Sequence, residues 1–253
     1  MGQETSKQLS AVTRGVSSLA RTSVSSLTMT QRERHSVWLD NRLARLLKIR
    51  AQNKQGRVKT LNQVLLKFGQ LNEGFQACHK IFDGIDSQGR GQLSMQDVQE
   101  AAAAADLGLD TETIVKFFDS ADLEGTHQLD FREFVLVITA IYIFRDAESL
   151  PHNVDPVIIN TFEIILDAFM YFDPFGEGFI RKDGMMAAMS ETGSPSAKQS
   201  QGRPRQSTLN ATISKRFAEL DWGNSGEISF KEFLYGLEGW VLEEYEDEPV
   251  DLF

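Results

Sequence analysis

Apolar and polar positions along this chain follow a pattern that repeats four times. In each copy a Phe is followed four residues later by an Asp, and seven residues after that by a Leu or Ile. The four sets are Phe82, Asp86 and Leu93; Phe118, Asp122 and Leu129; Phe169, Asp173 and Ile180; and Phe217, Asp221 and Ile228. Such a repeat indicates four copies of one supersecondary unit.

A helical pattern precedes the repeats. Its apolar positions are Val37, Trp38, Leu39, Leu43, Leu46 and Leu47, and its cations are Arg42, Arg45, Lys48 and Arg50. The spacing predicts an amphipathic basic helix. We expect it to pack on the body with its charged face in solvent. Contact of that face with anionic lipid is a second interpretation, which the first does not exclude.

The repeat has the spacing of the EF-hand. In that unit a Phe packs the incoming helix, an Asp opens a twelve-residue calcium loop, and the aliphatic residue at position eight pairs two loops. The predicted fold class is therefore all-α. It consists of two EF-hand pairs, with basic N-terminal helices and short antiparallel bridges between loops.

The same pattern divides the chain into segments. We expect a disordered arm over 1–30, rich in Ser and Thr, and basic amphipathic helices over 31–69. The first EF-hand lobe covers 70–145 and the second 146–242. A flexible insertion rich in Gly, Ser and Pro occupies 190–212, and an acidic tail covers 243–253.

The first and third loops lack the oxygens that calcium requires. Calcium takes six to eight oxygens, which an EF loop supplies from positions 1, 3, 5, 7, 9 and 12, with a bidentate Glu at 12 and Gly at 6. The loop from Asp86 has Arg90 at position 5 and the shorter Asp97 at position 12. The loop from Asp173 has Phe175 at position 3 and Gly184 at position 12. We expect little calcium binding in either.

The second and fourth loops carry better ligand sets. In the second loop the candidates are Asp122, Glu124, Thr126, Asp130 and Glu133. In the fourth they are Asp221, Ser225, the carbonyl of Glu227, Ser229 and Glu232. Each loop has one defect, since His127 replaces the turn Gly and Gly223 supplies no ligand at position 3. Calcium is the expected ion, and magnesium is an alternative.

Charge is divided unevenly along the chain. Residues 1–67 hold 13 Lys and Arg against 3 Asp and Glu, whereas 68–253 hold 13 against 33, so a basic arm precedes an acidic body in a chain of net charge −10. The single cysteine, Cys78, is expected to be a buried apolar residue. No apolar run approaches the roughly 18 residues that span a bilayer.

The first six residues fit the pattern for myristoylation at Gly2, with Ser6 four residues later. One acyl chain binds membranes only marginally, so the basic arm would supply the second signal. The expected location is cytoplasmic and peripheral to a membrane. A Ser-rich, acid-poor and Arg-bearing N-terminus also suits an organellar transit peptide, and that alternative stays open.

Four stretches make the chain resemble a plant calmodulin-like EF-hand protein of the subgroup with a basic N-terminal extension and an acidic tail. They are residues 59–68, 78–82, 161–167 and 217–233, the last with its Asp221-Trp222 start. The resemblance implies a calcium-responsive protein without catalysis. It transfers the calcium ligands onto the fourth and second loops, including the carbonyl of Gln128.

These features favour two functions and argue against two others. The first is a calcium sensor that binds a helix of a target protein, with Met185, Met186 and Met189 either lining the groove or lying in the core. The second is a calcium-independent adaptor whose lobes hold a partner segment or the chain's own N-terminal helix. An enzyme is disfavoured, because the four His residues share no metal-ligand spacing and no phosphate loop is present. Nucleic-acid binding is not expected.

Overall fold

The computed structural model describes residues 29–53, 63, 67, 69–145, 154–190 and 214–237. Several predicted segments therefore lie outside the described residues. They are nearly all of the N-terminal arm with Gly2, most of 54–68, most of the 190–212 insertion and the acidic tail.

Within the described residues, a long helix precedes four helix–loop–helix units. The long helix is α1, Gln31–Asn53. Unit 1 contains α2 (Leu71–Ile85), β1 (Leu93–Ser94) and α3 (Met95–Ala104), and unit 2 contains α4 (Thr111–Ala121), β2 (Gln128–Leu129) and α5 (Phe131–Phe144). Unit 3 contains α6 (Pro156–Phe172), β3 (Ile180–Arg181) and α7 (Lys182–Ser190). Unit 4 contains α8 (214–220), β4 (Glu227–Ile228) and α9 (230–237).

The Phe–Asp repeat marks the end of each incoming helix. The backbone N–H of every repeat Asp donates to the carbonyl of the Phe four residues before it, at 2.8 Å for Asp86 and 2.9 Å for Asp122 and Asp221. The four Phe side chains are buried, with exposed fractions of 6% or less. The repeat therefore combines a core anchor with the last helical hydrogen bond before a loop.

Two antiparallel bridges join the loops in pairs. Leu93 pairs with Leu129 in the first lobe, and Ile180 pairs with Ile228 in the second. All four aliphatic side chains are buried. The predicted all-α fold of two EF-hand pairs with loop–loop bridges is confirmed.

Helix α1 packs on the body rather than standing apart from it. Leu39, Leu43 and Leu47 are 0–1% exposed and belong to the same continuous core as the buried residues of both lobes. The Trp38 ring contacts Phe117 and Phe144 edge-on or tilted, with centroids 5.9 and 5.6 Å away. The expectation that this helix packs on the body is confirmed.

Helices α2 and α6 bring the two lobes into contact at Gly74. A Cβ atom at Gly74 would lie 1.7 Å from the hydroxyl of Thr161, which is itself fully buried. Only a residue without a side chain allows this approach. No helix in the described ranges combines the length and apolar character needed to cross a bilayer.

Candidate functional site

The candidate sites are the four EF loops, numbered in chain order as loop 1 (86–97), loop 2 (122–133), loop 3 (173–184) and loop 4 (221–232). Each opens with an Asp whose carboxylate accepts backbone N–H groups from the loop. Asp122 accepts from Gly125 at 2.8 Å, Thr126 at 2.9 Å and His127 at 3.2 Å. Asp221 accepts from Ser225 at 2.8 Å and Gly226 at 2.9 Å. These bonds fold the loop around its first predicted ligand.

The twelfth residue closes loops 2 and 4 across their full length. Glu133 accepts from the N–H of Leu123 at 2.7 Å through Oε1 and from that of Asp130 at 3.1 Å through Oε2. Glu232 does the same, accepting from Gly223 at 3.2 Å and Ser229 at 2.7 Å. Both Glu side chains therefore reach from the exiting helix back to the start of the loop.

Position 5 and position 7 bring a hydroxyl and a carbonyl together in these two loops. Thr126 donates to the carbonyl of Gln128 at 3.0 Å, and Ser225 donates to that of Glu227 at 2.6 Å. At position 9, the side chain of Asp130 accepts from the N–H of Glu133 and so caps α5. Glu124 is exposed at the rim of loop 2.

His127 adopts the turn conformation that its position in the loop requires. Its φ is +58°, against +71°, +85° and +81° for Gly91, Gly178 and Gly226 at the same position of the other loops. Because β-carbon sterics disfavour this region, the histidine carries backbone strain that the glycines avoid. Asn224, at position 4 of loop 4, also has a positive φ of +49°.

Arg90 places a cation inside loop 1. Its guanidinium lies 2.6 Å from Asp97 and 3.5 Å from Asp86, the twelfth and first residues of the loop. Hydrogen bonds from Ser94 lower the pKa of Asp97, and the charge of Arg90 lowers it further. Burial acts in the opposite direction but is outweighed. Arg90 therefore supplies, from within loop 1, the positive charge that a bound cation would otherwise bring to Asp86 and Asp97.

Loop 3 serves as a packing surface. Its Gly178 lies against the backbone of Ala44 in α1, where a Cβ atom would come within 2.4 Å of the Ala44 carbonyl oxygen. Arg181 stands at position 9, where calcium would need an oxygen, and pairs with Glu177 at 3.1 Å and with Glu227 of loop 4 at 2.8 Å. Phe175, at position 3, is 68% exposed.

Loop 2 concentrates buried negative charge that a cation would neutralise. Asp122 and Glu133 are each 2% exposed. Burial raises the pKa of Glu133, and the neighbouring Asp130 carboxylate adds to the increase against the opposing backbone hydrogen bonds. A hard divalent cation among these oxygens would offset both the burial of the carboxylates and their mutual repulsion. The residues of loop 2 therefore fit such an ion. Loop 4 has the same buried pair in Asp221 and Glu232, each 8% exposed.

The described residues hold no ready cluster of three or more carboxylate, imidazole or thiol groups placed to bind a metal. In loops 2 and 4 the carboxylate oxygens instead accept backbone N–H groups. The predicted ligand sets also draw on hydroxyl and carbonyl oxygens, which such a cluster does not include.

Helix α1 touches the candidate loops through charged side chains that the sequence did not single out. Arg32 lies 3.8 Å from Asp122, and Lys231 of loop 4 lies 3.1 Å from Asp40. Burial raises the pKa of Asp40, and Lys231 opposes that shift. The sequence shows Arg32 and Asp40 beside the apolar stripe of α1. It does not show their partners, Asp122 and Lys231, which lie 90 or more positions away along the chain.

An apolar cavity of about 530 Å³ lies between helices of the first lobe and the start of α6, where Ile158 and Phe162 line it. Its walls include Ile81, Ile85, Val98, Phe134 and Ile138, from helices α2, α3 and α5. Ile81 is 42% exposed at its rim. An apolar opening of this size matches the volume of typical ligand pockets.

Two other predictions concern sulfur. Cys78 is fully buried, and burial raises its pKa to about 12, which confirms its interpretation as an apolar core residue. Met185 is buried in the second lobe and Met186 packs against the same core, as the core interpretation expects. The side chain of Met189 lies outside the described residues.

No family model matches the chain. The chain is similar to plant proteins, two of which are calcium-binding proteins by name. Probable calcium-binding protein CML21 of Arabidopsis thaliana is 27% identical over 188 residues, covering 73% of this chain and 76% of that one. Probable calcium-binding protein CML22 of the same plant is 22% identical, covering 76% and 82%. The chain has the EF-hand fold and is similar to plant calmodulin-like proteins.

This EF-hand relative of the calmodulin-like proteins also resembles kinases over part of their length. Calcium-dependent protein kinase 33 of Arabidopsis thaliana is 27% identical over 191 residues, which cover 76% of this chain but 31% of the kinase. The shared region is therefore a minor part of the kinase.

Proposed function

We propose that the protein is a calcium sensor or relay without catalytic activity, which binds calcium through loops 4 and 2. The observation that carries this proposal is the reach of Glu232 and Glu133 from position 12 back to the loop start. Loop 1 has the shorter Asp97 paired with Arg90, and loop 3 has Gly184 in that place. The names of both plant relatives describe them as probable calcium-binding proteins.

Calorimetry with calcium tests this proposal. Glu133→Gln and Glu232→Gln each remove one closing carboxylate charge while keeping the side-chain shape. We expect each variant to lose one binding event and the double variant to lose all binding below millimolar calcium. Glu100→Gln, at an exposed helical glutamate, is the matched control and should leave binding unchanged. An unchanged isotherm in the double variant would contradict the proposal.

The partner of such a sensor would be an amphipathic helix of a target protein, bound in the apolar cavity between the first lobe and α6. The cavity walls are apolar, and the acidic body favours cations on the rim of the partner. A designed helical peptide with Leu on one face and Lys on the other is a suitable probe. Ile81→Glu should weaken binding of the peptide at least about tenfold. Val37→Glu, at an exposed position on α1, should leave binding of the peptide unchanged. Equal binding by both variants would rule out the cavity.

A calcium-independent adaptor is the second candidate function. It is favoured by one observation, the burial of α1 against both lobes, since the chain then fills part of its own binding surface. Calorimetry separates the two functions. Heat from calcium below the millimolar range supports the sensor, and its absence supports the adaptor.

Attachment to an anionic membrane is part of the proposal. The outer face of α1 exposes Arg34, Arg42, Arg45 and Lys48 together with Val37 and Ile49. Such a face suits anionic headgroups, and a myristoyl group on Gly2 would add the second anchor. The location would then be cytoplasmic and membrane-peripheral, with an organelle as the alternative.

Membrane fractionation of cells that express the wild type and Gly2→Ala tests the lipid anchor. A protein that leaves the membrane fraction in the variant supports myristoylation. An unchanged membrane fraction contradicts it, and import into an organelle with loss of the N-terminus supports the transit peptide.

A further inference from the structure

Helix α1 places opposite charges beside the two calcium loops. At its N-terminal end Arg32 meets loop 2, and two turns later Asp40 meets loop 4. Both contacts join residues far apart in sequence, and neither side chain belongs to a calcium loop. The charge that each brings to its loop differs in sign.

Arg32 approaches the first residue of loop 2. Its Nε lies 3.8 Å from Asp122 Oδ2, and the tip of its guanidinium occupies the space where a side chain on Gly125 would stand. Asp122 is 2% exposed, so the interaction is only partly screened by water, although Arg32 itself is 36% exposed. A positive charge beside this carboxylate opposes the arrival of a second cation in the loop.

Asp40 acts on loop 4 through Lys231. The Lys231 side chain is 6% exposed, and its ammonium group lies 3.1 Å from Asp40 Oδ2 and donates to the Ser36 hydroxyl at 2.6 Å. Lys231 precedes the closing Glu232, so a buried cation stands next to a predicted calcium ligand. Asp40 compensates that cation. Asp40, Gly223 and Glu232 line one cavity of about 350 Å³.

We infer that helix α1 sets the calcium affinities of the two loops in opposite directions, with Arg32 lowering that of loop 2 and Asp40 raising that of loop 4. The inference rests on the proposed function, that both loops bind calcium. It assigns to α1 a role in ion binding beyond its packing. Calcium in loop 2 would in turn weaken the Arg32 contact, because coupling between two binding events is reciprocal.

Each loop can be measured alone by calorimetry with calcium. Glu232→Gln leaves loop 2 as the binding site, and Glu133→Gln leaves loop 4. In the first background Arg32→Gln should raise the affinity roughly fivefold, and in the second Asp40→Asn should lower it roughly fivefold, a coupling at the weak end of the usual range. Arg45→Gln is the matched control, since Arg45 is exposed on the outer face of α1. It should change neither affinity by more than about twofold.

A double-mutant cycle tests the route through Lys231. Lys231→Met removes the buried charge at similar volume, so Asp40→Asn should have a much smaller effect on loop 4 in that background than in the presence of Lys231. Circular dichroism and thermal melting verify that each variant is folded. Changes of the same sign at both loops, or none, overturn the inference while leaving the calcium sites intact. If neither single-loop protein binds calcium, the proposed function and the inference fail together.

Discussion

Single residues decide which loops can close around an ion. Glu133 and Glu232 are long enough to bond to backbone N–H groups at positions 2 and 3 of their loops. Asp97, one methylene shorter, bonds instead to Ser94 and Arg90. The length of the last side chain therefore decides whether its carboxylate reaches back to the start of the loop.

His127 has a side chain at a turn position whose positive φ favours glycine. Its φ of +58° should tolerate Gly and reject a β-branched residue. We expect His127→Gly to change the free energy of unfolding by at most about 1 kcal/mol, and His127→Val to lower it by about 1–3 kcal/mol. Urea denaturation of the calcium-free protein measures both. Equal stabilities of the Gly and Val variants would contradict the strained turn.

Ligand positions and turn positions could be predicted from the sequence because the EF loop is local. Twelve consecutive residues fix which side chains face inward, so the turn position that His127 occupies follows from the sequence alone. The contacts of Arg32 and Asp40 could not be predicted in this way. Periodicity shows that α1 has a buried face, but it does not show which distant loop that face meets.

At the level of elements, the crossing of α2 and α6 depends on one glycine. Gly74→Ala would place a methyl group on the Thr161 hydroxyl and force the helices apart, so we expect it to cost about 1–3 kcal/mol of stability. Gly84, exposed in the same helix, has no atom within 4 Å of the point where a Cβ atom would stand. Gly84→Ala is therefore the control, and it should stabilise by about 0.5–1 kcal/mol. Thermal melting compares them, and similar effects would contradict the close crossing.

The two loops with poor ligand sets keep structural roles. Loop 1 holds its own cation in Arg90, and loop 3 supports α1 at Gly178 and ties to loop 4 through Arg181. The bridges at Leu93 and Ile180 persist in both. Packing therefore accounts for the aliphatic and glycine positions of these repeats, whatever their affinity for calcium.

For the whole molecule, a polar network joins α1, α5 and α6. Both Arg50 and the hydroxyl of Tyr142 donate to the carboxylate of Glu163. Burial, followed by the hydrogen bond to Glu163, raises the pKa of Tyr142 to about 12. These three helices come from different parts of the chain, so the network ties α1 to both lobes.

The raised pKa of Tyr142 predicts how stability changes in alkali. The folded protein holds the Tyr142 proton more tightly than the unfolded chain, so this contribution is full below about pH 10 and is lost between about pH 10 and 12. Wild type should lose up to about 2 kcal/mol more than Tyr142→Phe over that range. Urea denaturation at about pH 9 and about pH 11.5 in the presence of a chelator tests this. Parallel losses in the two proteins would contradict it.

The continuous core shared by α1 and both lobes could be predicted only in part. The apolar stripe of α1 and the buried faces of the repeats follow from periodicity. Contacts of Gly74, Trp38 and Glu163 join α1 and the two lobes into one core. The partners of these three residues are set by the tertiary fold, so periodicity does not predict them. Local patterns in this chain therefore predict the units and leave their arrangement open.

Two of the four EF loops are expected to bind calcium, and this is the central claim to test. Native mass spectrometry of the full chain at saturating calcium counts the bound ions directly. We predict two ions on the wild type, one on Glu133→Gln and one on Glu232→Gln. Four ions on the wild type, or none, would contradict the claim.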